Sequence, residues 1–176
     1  MKNVFTAMTF AIGQHEGQRR KYTNEPYWKH LAEVAAITQS APDCTLNMIR
    51  AAWLHDTLED TNTTPEQIRT MFGARVLEIV DALTDVSRPE DGNRATRKAL
   101  DREHIAQAGY EAQTVKLADL ISNTSSIVDH DTAFARIYLR EKEQLLAVLT
   151  KGDPALLMLA RQTLEDGWKQ LDDRTP

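Results

Sequence analysis

The chain has 176 residues, 41% hydrophobic and 27% charged, with one Cys; that is long enough to bury a core without disulfides or a structural metal. Its 21 Lys and Arg against 26 Asp and Glu give a net charge of −5, which argues against a protein whose main task is to neutralise DNA or an anionic membrane surface. No window has the apolar length of a signal peptide or membrane span, and Cys44 stands alone, so a soluble cytoplasmic protein is expected.

The apolar spacing is helical almost throughout. Phe5, Met8, Ile12 and His15 step by three and four along a first helix that should end in the polar run Glu16 to Thr23. A second helix is predicted from about Tyr27 to Gln39, with His30, Val34 and Ile37 on one stripe, broken by Ala41-Pro42-Asp43. A third starts near Leu46, carries Ile49, Ala52 and Trp53 inward and reaches His55-Asp56. Thr64-Pro65-Glu66-Gln67 is a capping-box start for a short helix that ends at Gly73. Val76, Ile79, Val80 and Leu83 define the next helix, and Thr84 to Asn93 is polar enough to be a functional loop. Helices follow over about 94–107, 114–126 and 134–149. The last begins at Asp153-Pro154 and buries Leu157, Leu164, Trp168 and Leu171. With no alternating strand pattern and no repeat, the expected fold is all-α, a single helical domain over 1–176 with the helix at about 153–171 packed on it.

Chemistry concentrates at His55-Asp56 and Glu59-Asp60. Helical spacing puts His55 with Glu59 and Asp56 with Asp60, although acidic runs at helix ends are most often solvated surface. Asp119 is harder to dismiss, because it sits in the apolar run Val115-Lys116-Leu117-Ala118-Asp119-Leu120-Ile121. An ionised carboxylate in a dry core needs a partner. Lys116 is one candidate, and a metal shared with His30, His55 and Asp56 is the better one. Two imidazoles and two carboxylates suit an octahedral divalent ion such as Mn²⁺, able to activate water and polarise a phosphoryl oxygen.

The runs His15-Glu-Gly-Gln-Arg-Arg-Lys21, Glu25-Pro-Tyr-Trp-Lys-His30, Ala51-Ala-Trp-Leu-His-Asp-Thr-Leu-Glu-Asp-Thr61, Phe72-Gly73 and Val115-Lys-Leu-Ala-Asp-Leu-Ile-Ser-Asn123 occur in this order. In them the chain resembles the HD-domain pyrophosphohydrolases of the Rel/SpoT type, especially the stand-alone small alarmone hydrolases. The resemblance implies an HD-domain helical bundle with one Mn²⁺ per chain, held by His30, His55, Asp56 and Asp119. It implies that Glu59 and Asp60 orient or deprotonate the attacking water, that Asn123 hydrogen-bonds near it, and that Arg20 and Lys21 contact the nucleotide. The implied reaction removes the 3′-pyrophosphate of guanosine tetra- or pentaphosphate, leaving GDP or GTP. No alarmone synthesis is expected in a chain of this length.

Many members read Lys-Leu-Ala-Asp-Arg, then a His-Asn pair and an Arg, where this chain has Leu120, Ser122 and Ser125; that places substrate preference in question, not hydrolysis. Of the basic runs, Arg19, Arg20 and Lys21 lie just before the His30 motif, the natural place for phosphates on an acidic chain. The second run, Arg94, Arg97, Lys98 and Arg102, fits a phosphate contact or a solvated helix face equally well. Tyr138 could stack on a base or belong to the core. Two other readings stay open: a metal-dependent nucleotide phosphatase acting on NADPH or a related nucleotide, and a non-enzymatic nucleotide-sensing module. Nucleic-acid binding is the weakest, for want of aromatic interleaving and basic balance.

Overall fold

The computed structural model describes residues 3–173, apart from the side chains of Ser125 and Ser126. Among the described residues all regular elements are helical, and a lone antiparallel bridge joins Arg19 to Pro26. Helix α1 (Val4–Gln14) is capped by the Asn3 side chain, which accepts from Thr6 N, and it turns Ala7 and Ala11 into the core. Phe5, expected on that stripe, is instead 64% exposed. The small alanines let α1 lie close against α3, and Phe5 falls on the outer side.

Helix α2 (Trp28–Gln39) buries His30, Leu31 and Val34, with Ile37 only half-buried. Helix α3 (Leu46–Leu54) is capped by Thr45 and buries Met48, Ala51, Ala52, Trp53 and Leu54. The helix does not run through to Glu59-Asp60. It stops before His55-Asp56 and resumes as the short α4 (Thr57–Asp60). Helix α5 (Pro65–Phe72) begins with the predicted box: Gln67 N donates to Thr64 Oγ1 at 3.3 Å and Thr64 N to Gln67 Oε1 at 2.8 Å. Gly73, at φ +97°, ends it in a conformation that a side chain would strain.

Helix α6 (Ala74–Leu83) buries all four predicted residues, and the loop after it holds a 3₁₀ turn at Pro89–Asp91. Helix α7 (Arg94–Gln107) matches its predicted bounds, set by the Asn93 cap. Helix α8 (Tyr110–His130) is longer than predicted at both ends. Its polar first turns are drawn inside by specific partners: Gln113 Nε2 donates to Ile105 O at 3.1 Å, and Thr114 Oγ1 accepts from Asp153 N at 2.9 Å. Helix α9 (Thr132–Leu146) is capped by Asp131. Helix α10 (Pro154–Asp173) buries Leu156, Ala160, Leu164, Gly167 and Leu171, so Leu156 takes the core position expected of Leu157.

Helix α8 is the spine against which α2, α3, α6, α7, α9 and α10 pack. Gly152, just before α10, sits so close to it that a Cβ there would meet Leu117 Cδ1 at 2.7 Å and the Gln113 backbone carbon at 3.1 Å. Among the described residues no helix is long and apolar enough to cross a membrane.

Candidate metal centre

Helix α2, the α3–α4 junction and α8 meet where His30, His55, Asp56 and Asp119 converge. His30 Nε2 lies 3.4 Å from Asp119 Oδ1 and 3.7 Å from Asp56 Oδ2. His55 Nε2 lies 2.9 Å from Asp56 Oδ2 and 3.8 Å from Asp119 Oδ1. His30, His55 and Asp56 each offer a ligand atom within 4.8 Å of the others, and Asp119 closes the group from α8.

The far nitrogens orient both rings. His55 Nδ1 donates to Ala52 O at 2.8 Å, which leaves its buried Nε2 without a hydrogen-bond partner. His30 Nδ1 lies 2.9 Å from Ser122 Oγ, whose hydroxyl donates to Glu33 Oε2 at 2.7 Å, so the His30 nitrogen is the donor of that pair. Both Nε2 atoms therefore face the carboxylates as ligands would, and an orphaned buried nitrogen beside two carboxylates fits a divalent cation. Burial disfavours charge on His55, but the adjacent Asp56 and Asp119 outweigh it and push its pKa up to about 9: without a cation, a proton is drawn to the same place. Burial likewise opposes the Asp119 charge. Lys116 Nζ, 3.2 Å from Asp119 Oδ2, and the two imidazoles overcome it and hold the carboxyl well below the usual range. Tyr27, missed as a site residue although it lies inside the quoted run before His30, donates its hydroxyl to Asp56 Oδ2 at 2.6 Å.

Glu59 and Asp60, successive residues of α4, point apart. Glu59 accepts from Asp85 N at 2.6 Å in the wall of a cavity of about 320 Å³ beside the centre. Partial enclosure there, and then the Asp85 charge, push its carboxyl up to about 7. Asp60 turns the other way: its Oδ2 accepts from Gln18 Nε2 at 2.9 Å, and Gln18 Oε1 lies 2.6 Å from His15 Nδ1.

On the α7 side the cavity is lined by Arg94, Lys98 and Arg102, which are four apart and share a face. Arg97 points off that face and is not among the lining residues, contrary to expectation. Lys98 does line it, paired with Asp85 at 2.6 Å. Tyr138 also lines it, but only 6% exposed and with the Lys142 ammonium 5.0 Å from its ring centre; it is a core ring, too buried to stack on a base. Arg20 NH2 donates to Asn123 Oδ1 at 3.1 Å, and Asn123 Nδ2 to Asp119 Oδ1 at 2.7 Å, so Asn123 bridges Arg20 to the centre. Lys21 is exposed, its Nζ donating to Tyr22 OH at 3.2 Å. Arg20, Lys21 and Asn123 border a smaller cleft that shares Tyr27, Asn123 and Ile127 with the main cavity. Of the departures from the resemblance, Leu120 is core, Ser122 holds His30, and the Ser125 side chain lies outside the described ones.

Residues 7–151 match the HD domain family, so α10 lies beyond the matched stretch. A mouse protein, guanosine-3′,5′-bis(diphosphate) 3′-pyrophosphohydrolase MESH1, is 33% identical over 96% of this chain and 92% of its own length. The zebrafish protein of the same name is 40% identical over 68% of this chain, and the chain spans 66% of its length. Among solved structures, one described as a metazoan ortholog of SpoT that hydrolyzes ppGpp superposes with a TM-score of 0.82 at 24% identity, covering 93% of this chain and 94% of that one, which shows a shared fold. The extent of the family match and the identity across nearly the whole mouse protein make the chain a member of the HD domain family.

Proposed function

We propose that the chain is a Mn²⁺-dependent hydrolase that removes the 3′-pyrophosphate of guanosine tetra- or pentaphosphate, giving GDP or GTP and pyrophosphate, and that it works in the cytoplasm. The observation that carries this reading is the convergence of His30, His55, Asp56 and Asp119, with an orphaned imidazole nitrogen, at the edge of a cavity lined by both acidic and basic side chains that also holds Glu59. The activity for which the mouse and zebrafish relatives are named supports the substrate.

A divalent ion held by His30, His55, Asp56 and Asp119 would supply Lewis-acid polarisation of the scissile phosphoryl group and lower the pKa of water there. Glu59, with its carboxyl near neutrality, takes the proton from the attacking water. Asp60, held by Gln18 and absent from the cavity lining, bears on that water through its charge. Asn123 acts by holding Asp119 and Arg20 in register, and Arg20 and Lys21 bind phosphate oxygens from the adjoining cleft. The water oxygen joins phosphorus as the bond to the ribose 3′-oxygen breaks, and that oxygen leaves with a proton.

The test is a screen of phosphorylated nucleotides with Mn²⁺ that resolves pyrophosphate from orthophosphate. Pyrophosphate from the guanosine compounds is the expected result. Orthophosphate from NADPH would make the chain a nucleotide phosphatase, and tight nucleotide binding with no turnover would make it a sensor.

A further inference from the structure

The cavity wall carries cations that are already committed and one that is not. Arg94 is held by Glu141 through two bonds of 2.7 and 2.8 Å, and Arg102 donates to Gln144 Oε1 at 2.9 Å. Lys98 is paired with Asp85 and Lys116 with Asp119. Lys142 lines the same cavity from α9 and makes no hydrogen bond or ion pair among the described residues; its Nζ rests over the Tyr138 ring. An unpaired ammonium in the wall of a cavity is what a bound anion would complete, because a charge there is costly to leave without a partner.

We propose that Lys142 anchors a second phosphate group of the substrate, carried on the ribose away from the bond that is cut. The proposal rests on the hydrolase reading for the identity of the substrate, but its chemistry is wider: a ribonucleotide phosphorylated at two positions. The reacting phosphate must lie at the imidazole and carboxylate cluster, where Lys116 already stands against Asp119. Helix α9 contributes none of the candidate ligands and packs on α7, α8 and α10, so Lys142 belongs to a different wall from the reacting groups. The acids that could neutralise it are taken: Glu141 by Arg94, and Asp85 by Lys98. Burial, reinforced by the Lys116 charge, pushes the Lys142 ammonium down to about 8, and a phosphate would reverse that penalty. Lys142 is thus a specificity residue that distinguishes doubly from singly phosphorylated nucleotides.

The experiment compares GDP with guanosine as ligands, by calorimetry, for the metal-loaded wild type, Lys142→Gln and Lys142→Arg. The wild type should prefer GDP by tenfold or more. Lys142→Gln should lose most of that preference with guanosine affinity unchanged, and Lys142→Arg should recover part of it. In turnover, Lys142→Gln should raise KM for guanosine tetraphosphate about tenfold with kcat within twofold, and leave guanosine 3′-diphosphate unaffected. An unchanged GDP preference, an equal loss for guanosine and GDP, or a kcat loss on both substrates would overturn the proposal. Should Lys142→Gln fold poorly, Lys142→Met, an unbranched side chain one atom shorter and without the charge, gives the same readings. GDP binding needs no hydrolysis, so a wild type that fails to turn over the tetraphosphate defeats the hydrolase reading while the Lys142 result stands by itself.

Discussion

Lys116 Nζ and Asp119 Oδ2 lie 3.2 Å apart, one turn from each other on α8, while the other Asp119 oxygen faces both imidazoles. One of the two partners weighed for Asp119, Lys116, thus takes one carboxylate oxygen and leaves the other facing the candidate metal site. Removing the cation by Lys116→Met should leave Asp119 undercompensated. Breaking a buried pair from one side costs on the order of 3 kcal/mol. Urea unfolding should show that loss in the metal-free protein and a smaller one with Mn²⁺ present. Equal losses in both states would mean that no cation shares Asp119.

Metal content checks the ligand set directly. His55→Ala and Asp119→Ala should each abolish stoichiometric Mn²⁺ binding, measured by elemental analysis after dialysis. Ser122→Ala removes only the hydroxyl that orients His30, so it should weaken affinity about 10- to 100-fold, the usual effect of losing such support. Full retention in Asp119→Ala would exclude the α8 ligand.

For Glu59 the sign follows from its role. A general base must be ionised, and this carboxyl is raised to about 7, so kcat/KM should fall as pH drops through the Glu59 pKa. The charge of a bound ion lowers that pKa, which puts the acid limb at or below 7. Asp85→Asn removes the charge that helps raise it and frees Lys98 nearby, so the limb should move to lower pH. Glu59→Gln should keep the metal and lose about 10²- to 10⁴-fold in kcat. A variant that loses metal with normal turnover per bound ion would make Glu59 a ligand.

Gly152→Ala places a methyl group 2.7 Å from Leu117 Cδ1 and against the Gln113 backbone. Overpacking of this kind costs about 1–3 kcal/mol. Thermal unfolding should show a lower Tm with metal stoichiometry intact, because the clash lies at the α8–α10 contact and not at the ligands.

Local chemistry was readable along the chain. The Thr64–Gln67 box and Asp153 cap their helices where expected, since a cap involves residues three apart. That His30, His55, Asp56 and Asp119 belong together was readable too, because an acid in an apolar run and two histidines have few inexpensive explanations. What escaped was pairing between distant segments. Nothing near Arg94 in the sequence indicates that Glu141 holds it, and nothing near Lys142 separates it from a surface lysine. The different partners of Glu59 and Asp60 escaped for the same reason: Asp85 and Gln18, which hold them, lie 26 and 42 residues away.

The ligands arrive from α2, the α3–α4 junction and α8, three stretches far apart along the chain. An ion seated among them would therefore act as a knot between segments that unfolding must pull apart. A ligand that binds only the folded state adds roughly 2.7 kcal/mol at a hundredfold excess over its Kd. Resistance to heat and proteolysis then tracks the supply of the ion, and a cell starved of it would hold less of this protein even with synthesis unchanged.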